Sequence, residues 1–171
     1  MKLVLRYGLI CGLLLVVFTA AGHAVFGVDP RNFDRQEIYG YASMLLGLSV
    51  IFFAVHRYRE RIGNGSLSFA KGLQVGVLTA LISATIYFVY SMVYFRWVAP
   101  EFMSVYSEFY RDKISESNLP AAQISRQLAE LDANMPLYLS PSFQSVVMFA
   151  TVFLLGLAIA LASAAILRRR R

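Results

Sequence analysis

Few side chains in this 171-residue chain have the types and spacings that do chemistry. The densest group is basic: Arg57, Arg59 and Arg61, then Gly63-Asn64-Gly65-Ser66, Ser68 and Lys71. Hydroxyls and bare backbone N–H groups at a helix start, ringed by positive charge, are suited to holding an anion, here a lipid phosphate. The simpler account of the same residues is a topogenic charge cluster with Ser66 or Ser68 as N-cap. The spacing of a nucleotide-binding phosphate loop, G-x-x-x-x-G-K-[ST], is missing. A second arrangement is a stripe at three- and four-residue steps, Gly72, Gly76, Thr79, Ser83, Tyr87, Tyr90, Ser91 and Tyr94. Such a stripe lines a polar cleft or, more simply, packs one helix against another. His23 and Arg96 lie near the ends of apolar runs, where snorkelling and capping account for them. His56 has no second histidine, carboxylate or cysteine at ligand spacing, and Cys11 is the only cysteine. Neither a nucleophile with its base nor a metal cluster is assembled, so the expectation is a protein that is not an enzyme and has no cofactor.

The elements that position these residues are membrane helices. The chain is 58% hydrophobic and 15% charged, with a mean hydropathy of +0.58, a composition that long apolar runs explain. Spans are predicted at about 7–26, 38–55, 72–98 and 142–167, each near the ~20 residues a bilayer core requires. The third is the longest, and from Leu73 to Val98 only Arg96 is charged. Lys2, Arg6 and the small residues around Gly22-His23-Ala24 also fit a signal peptide, but the apolar run exceeds the usual core of about 7–15 residues. Gly8 and Gly12 make a small-xxx-small pair suited to helix contact. Asp29-Pro30 breaks the chain between the first two spans, and no Asp or Glu falls inside any of the four predicted spans.

Residues 101–136 form the one sizeable segment outside the spans, and its period is helical. Phe102, Tyr106, Phe109 and Tyr110, with Met103 and Ile114, gather on one face, a candidate interaction surface or membrane-resting face. After Pro120 a second amphipathic helix carries Ile124, Leu128, Leu131 and Met135 and is expected to end near Pro136. Lys2, Arg6, Arg57, Arg59, Arg61, Lys71 and Arg168 to Arg171 fall on one side of the bilayer. The other side holds only Arg31, Arg35, Arg111, Lys113 and Arg126. The positive-inside rule then puts both termini in the cytoplasm and residues 101–136 outside.

Two short patterns recur. G-L-x-x-G-x-L occurs at Gly8 to Leu14 and at Gly72 to Leu78, and L-L-G-L at Leu45 to Leu48 and at Leu154 to Leu157. Two tandem hairpins of one orientation would give this arrangement. The order of a hairpin, basic residues, Gly65-Ser66-Leu67-Ser68-Phe69 leading into a glycine-bearing span, Pro100-Glu101-Phe102, an outer amphipathic segment and a last span with a basic end resembles the bacterial membrane proteins called domain of unknown function 4199. The resemblance covers nearly the whole chain. It implies a four-span bacterial membrane protein and brings no catalytic residues with it.

The expected fold is therefore all-α, a single integral membrane four-helix bundle with an extracytoplasmic amphipathic helical segment between the third and fourth spans. The expected function is that of a non-catalytic scaffold or interaction protein of the inner membrane. Its expected partners are membrane lipids and a protein partner or a second copy, with no nucleic acid. A small transporter or channel is the competing expectation.

Overall fold

A computed structural model describes residues 1–168; the basic tail residues Arg169, Arg170 and Arg171 lie outside the described residues. Among the described residues every regular element is helical. The spanning helices are α1 (Lys2–Phe26), α2 and α3 (Phe33–Leu48 and Val50–Arg61), α4 (Phe69–Val93) and, last in the chain, α7 (Pro141–Leu167). Between α4 and α7 run α5 (Phe102–Ser115) and α6 (Ala121–Tyr138). Four of these units are long and apolar enough to cross a membrane, with α2 and α3 forming one of them. The protein is a multi-pass membrane protein.

The second span differs from the sequence expectation in its start and in its continuity, each for a physical reason. The second span begins at Phe33 rather than near Ile38, because Asp34, Arg35, Gln36 and Glu37 are compatible with helix and merely lower the hydropathy that a span search reads. Asp34 and Glu37 thus lie in the first turns of the helix, ahead of the predicted span at 38–55, which itself holds no carboxylate. The same span is interrupted at Ser49, whose hydroxyl donates to the Leu46 carbonyl at 2.6 Å while Phe52 N–H bonds the Ser49 carbonyl three residues back. A Gly47/Ser49 pair with a side chain competing for the helix ladder is a recognised cause of a break.

Helix α4 is the hub, packed against α1, α3 and α7. Its face at Gly72, Gly76, Thr79, Ala80, Ser83 and Ala84 is buried throughout. A Cβ on Gly76 would stand 2.6 Å from Ala160 Cβ, and one on Gly156 2.7 Å from Ala80 Cβ, so α4 and α7 touch nearly backbone to backbone. Small residues are what allow such approach where lipid offers no hydrophobic drive to associate. Gly8 and Gly12 of α1 receive Ile82 and Ile86 of α4 in the same manner. The L-L-G-L pairs play equivalent parts, Gly47 of α2 meeting Leu15 of α1 and Gly156 of α7 meeting Ala80 of α4. The G-L-x-x-G-x-L pairs do not, since α1 turns its glycines to α4 while α4 turns its own to α7. The hairpins therefore match in their second members only.

The hydroxyls of the inner half of α4 are taken up in this packing. Thr79 donates to its own Val75 carbonyl at 2.8 Å, and Ser83 reaches the Thr79 carbonyl at 2.9 Å and the Gly8 carbonyl of α1 at 3.2 Å. Ser83→Ala should lower bundle stability by about 0.6 kcal/mol, and by no more than ~2 kcal/mol. Reversible unfolding in mixed micelles would measure the difference, and a larger loss would mean that Ser83 carries more than one interhelical hydrogen bond.

The α5–α6 hairpin closes the other end of the bundle. Phe33, 2% exposed, receives the rings of Phe102, Tyr106 and Phe109 at centroid distances of 5.6, 5.3 and 5.3 Å. Lys113 pairs with Asp34 at 2.9 Å, and Arg111 of α5 pairs with Asp132 of α6. Helix α6 runs to Tyr138 and carries Pro136 inside it, two residues beyond the expected stop. The proline falls in the last turn, where its missing N–H forfeits one bond and Leu139 N–H still reaches the Met135 carbonyl at 3.0 Å.

Candidate functional site

The C-terminal half of α4 differs from the N-terminal half. After Val93 the helix widens into a five-residue π turn, Tyr94–Val98, closed by Ala99 N–H on the Tyr94 carbonyl at 2.9 Å. Such turns recur at functional sites because one extra residue re-aims the side chains that follow. Here Tyr94 and Phe95 are turned inward, 6% and 9% exposed.

A cavity of about 340 Å³ lies behind them, between α2, α4 and α7 and beneath α5. It exists because α3, below the break at Ser49, packs along α7, whereas α2 above it touches α7 sparsely. Its walls are largely aromatic. Tyr87, Tyr90 and Tyr94 follow one another along α4 at centroid distances of 6.0 and 5.9 Å, and Phe102 and Tyr106 of α5 continue the series, 6.1 and 5.9 Å between successive rings. Met44, Met103 and Met148 add flexible apolar surface. The floor and far wall bring Thr19, Gln144 and Thr151, and α2 brings Gln36, Glu37, Gly40 and Tyr41. Glu37 is exposed and Tyr41 54% exposed, so the cavity opens to the surface at these two residues. A smaller cavity of about 80 Å³ adjoins it on the α1 side of α2, sharing Thr19, Gln36, Gly40, Met44 and Tyr87.

Most polar groups of the walls are engaged. Tyr87 and Thr19 share a hydrogen bond at 2.9 Å, Tyr94 Oη lies 3.0 Å from His23 Nδ1, Ser91 donates to the Tyr87 carbonyl at 2.8 Å and Gln144 Nε2 to the Tyr138 carbonyl at 2.8 Å. Two features stand apart. Gln36 Oε1 is buried without a hydrogen-bond partner among the described residues. A Cβ built on Gly40 would meet nothing within 4 Å, so no neighbouring helix requires glycine there. The Tyr106 hydroxyl is pushed above the ordinary tyrosine value, first by burial and then by its neighbours Tyr110 and Glu37.

The stripe expected from sequence is thus divided. Thr79 and Ser83 are closed into the helix seam, and Tyr87, Ser91 and Tyr94 line the cavity. Of the outer aromatic face, Phe102 and Tyr106 join the cavity wall, Phe109 rests on Phe33, and Tyr110 stays 40% exposed. The basic residues of the α3–α4 connection lie at the opposite end of the bundle. Ser66 donates to the Gly63 carbonyl at 3.0 Å, Ser68 caps α4 by accepting from Lys71 N–H at 3.3 Å, and Lys71 reaches Gln74 at 2.9 Å. Arg59 pairs with Glu60, while Arg57 and Arg61 are exposed. The turn is tied by its own backbone, with Asn64 and Gly65 at positive φ and Leu67 tucked against Val55, Val75 and Leu167. His56 stacks on Phe52, His23 is joined to Tyr94, and Arg96 lies over the Trp97 ring. Among the described residues no three potential metal ligands come together.

Gln36, Glu37 and Gly40 were not among the residues singled out from sequence. The only signal was a glycine inside an otherwise helical stretch, which lacks meaning until its surroundings are known. A family model described as a protein of unknown function (DUF4199) matches residues 6–169. No curated protein and no solved structure matches the chain.

Proposed function

This chain belongs to the DUF4199 family, described only as of unknown function, and we propose that it is a non-catalytic binding protein whose partner is an amphiphilic molecule taken from the surrounding bilayer. The observation that supports this is the outer cavity. Its volume of about 340 Å³ lies at the lower end of the roughly 300–1,000 Å³ typical of small-molecule sites. Its apolar and aromatic walls with a few polar groups have the character of such sites, and Gly40 leaves open a space that a larger side chain would fill. An opening on the flank of a spanning helix lets an apolar chain enter without crossing water. The distribution of Lys and Arg supports an orientation in an inner membrane with both termini cytoplasmic, which would put this cavity in the outer leaflet.

This reading narrows the broader one of a scaffold. The aromatic face of α5 is occupied by Phe33 and by the cavity, which leaves little of it for a protein partner. A small transporter is disfavoured by the inner half of the bundle, where Gly76 lies against Ala160 and Ser83 against Gly8, so a path would require the α4–α7 seam to part.

The test is purification in native lipid discs with mass spectrometry of what stays bound. The wild type should retain one apolar-chain molecule per protein, and Gly40→Leu, which fills the cavity from a position with open space, should lose it while keeping its helical content. Retention unchanged in Gly40→Leu, or recovery of a stoichiometric protein and no small molecule, would count against the proposal.

A further inference from the structure

Resting on the reading of the outer cavity as a binding site, we infer that its ligand is a primary ammonium group carried on an apolar chain, held by Gln36 and Glu37 against the tyrosine wall. Three observations converge on that group. Glu37 lies at the mouth and forms no ion pair among the described residues; Lys113 is paired with Asp34 at 2.9 Å and feels Glu37 only after Asp34 and Tyr110. A carboxylate at the edge of a bilayer is poorly solvated, and a cation that accompanies it relieves that cost. Gln36 Oε1, buried and without a donor, lies one residue away on the same helix and lines both cavities. A buried acceptor without a partner costs the desolvation of that group, so the missing element is an N–H or O–H donor. The faces of Tyr90, Tyr94 and Tyr106 then supply the electron-rich surface that attracts an organic cation.

The polarity of the remaining wall agrees. The cavity contains no lysine, arginine or histidine, and Glu37 is its single ionisable group of low ordinary pKa, so nothing there favours an anionic head group. A trimethylammonium group would satisfy the carboxylate and the rings but would leave Gln36 Oε1 without a donor. Only an ammonium bearing hydrogens satisfies all three. At about 340 Å³ the cavity holds a head group and the first part of one chain. Two sources present this chemistry, an aminophospholipid head group and a free long-chain amine.

Protein in dodecyl maltoside micelles, titrated with dodecylammonium, dodecyltrimethylammonium and dodecanol and followed by native mass spectrometry, separates these possibilities. Dodecylammonium should bind about tenfold more tightly than dodecanol, the order expected for a desolvated cation over aromatic rings beside a carboxylate. Glu37→Gln should bring the two to parity, and Gln36→Leu should remove the preference for dodecylammonium over dodecyltrimethylammonium. Glu37 is exposed, so its variant reports binding without disturbing the core; Thr151→Phe provides a second way to fill the cavity should Gly40→Leu fold poorly. Equal binding of dodecylammonium and dodecanol to the wild type, both lost on filling the cavity, would overturn the ammonium assignment and leave the cavity reading intact. Binding of either probe that survives both filling variants would overturn the cavity reading itself. In discs of phosphatidylethanolamine and phosphatidylglycerol, one retained phosphatidylethanolamine, lost in Glu37→Gln, supports the phospholipid source. Dodecylammonium binding without that retention supports the free amine.

Discussion

Replacing Phe33 with alanine should release the outer hairpin from the bundle. Phe33 is 2% exposed and meets three rings of α5 edge-on, at 5.3 to 5.6 Å. Little else ties α5 to the spans besides the π turn it follows, for the Lys113–Asp34 pair is exposed on both sides and such pairs contribute about 0–1 kcal/mol. Deleting a buried phenylalanine typically costs about 3–5 kcal/mol, and here the loss falls on one docking contact. Exposed backbone around Glu116-Ser117-Asn118 should then become rapidly cleavable by protease added to the detergent-solubilised protein, while α4 and α7 stay intact. Tyr110→Ala, at a 40% exposed position, should cleave as the wild type does. An unchanged cleavage pattern in Phe33→Ala would mean that α5 is held by contacts other than this aromatic cluster.

The second large effect is expected at the α4–α7 seam. In Gly76→Ala the new methyl would lie 2.6 Å from Ala160 Cβ and 3.0 Å from Ala160 Cα, so a helix backbone must move rather than a flexible side chain. Overpacking of this kind costs about 1–3 kcal/mol and outweighs the ~1 kcal/mol by which alanine is the better helix former. Gly76→Leu should prevent the packed bundle from forming. Ala160→Gly moves the methyl to the other side of the same contact, so the double variant Gly76→Ala/Ala160→Gly should recover most of what Gly76→Ala loses. Unfolding in mixed micelles for the four members of the cycle measures that coupling. If the two substitutions merely add, the helices do not meet at this point.

The spans were legible in the sequence because each is a run whose hydropathy exceeds that of its flanks, and the N-cap of α4 was narrowed to Ser66 or Ser68, of which Ser68 is the one that caps. The outer helices were legible from their 3.6-residue period. The cavity was not, and the reason is physical. A hole between helices is a property of how they splay, which here depends on a break at Ser49, marked only by a Gly/Ser pair that many unbroken helices also carry, and on a π turn at Tyr94–Val98. The same limitation concealed Gln36 and Glu37, whose polarity ended the apolar run and made them read as part of the connecting turn. Phe33 likewise looked like one aromatic among many until three rings from residues some seventy positions away were found on it.

The contact between Gly76 and Ala160 joins parts of the chain about half its length apart. During synthesis from the N-terminus, α1, α2, α3 and α4 enter the bilayer before the residues of α7 exist. Through that interval Gly72 and Gly76 face lipid, and the surface they form is the kind on which any passing small-residue helix can settle. A chain halted before Pro141 would keep that surface bare for good. Such truncated products should be sticky toward other membrane proteins and be cleared quickly, whereas truncations within the basic tail after Leu167 should escape that fate.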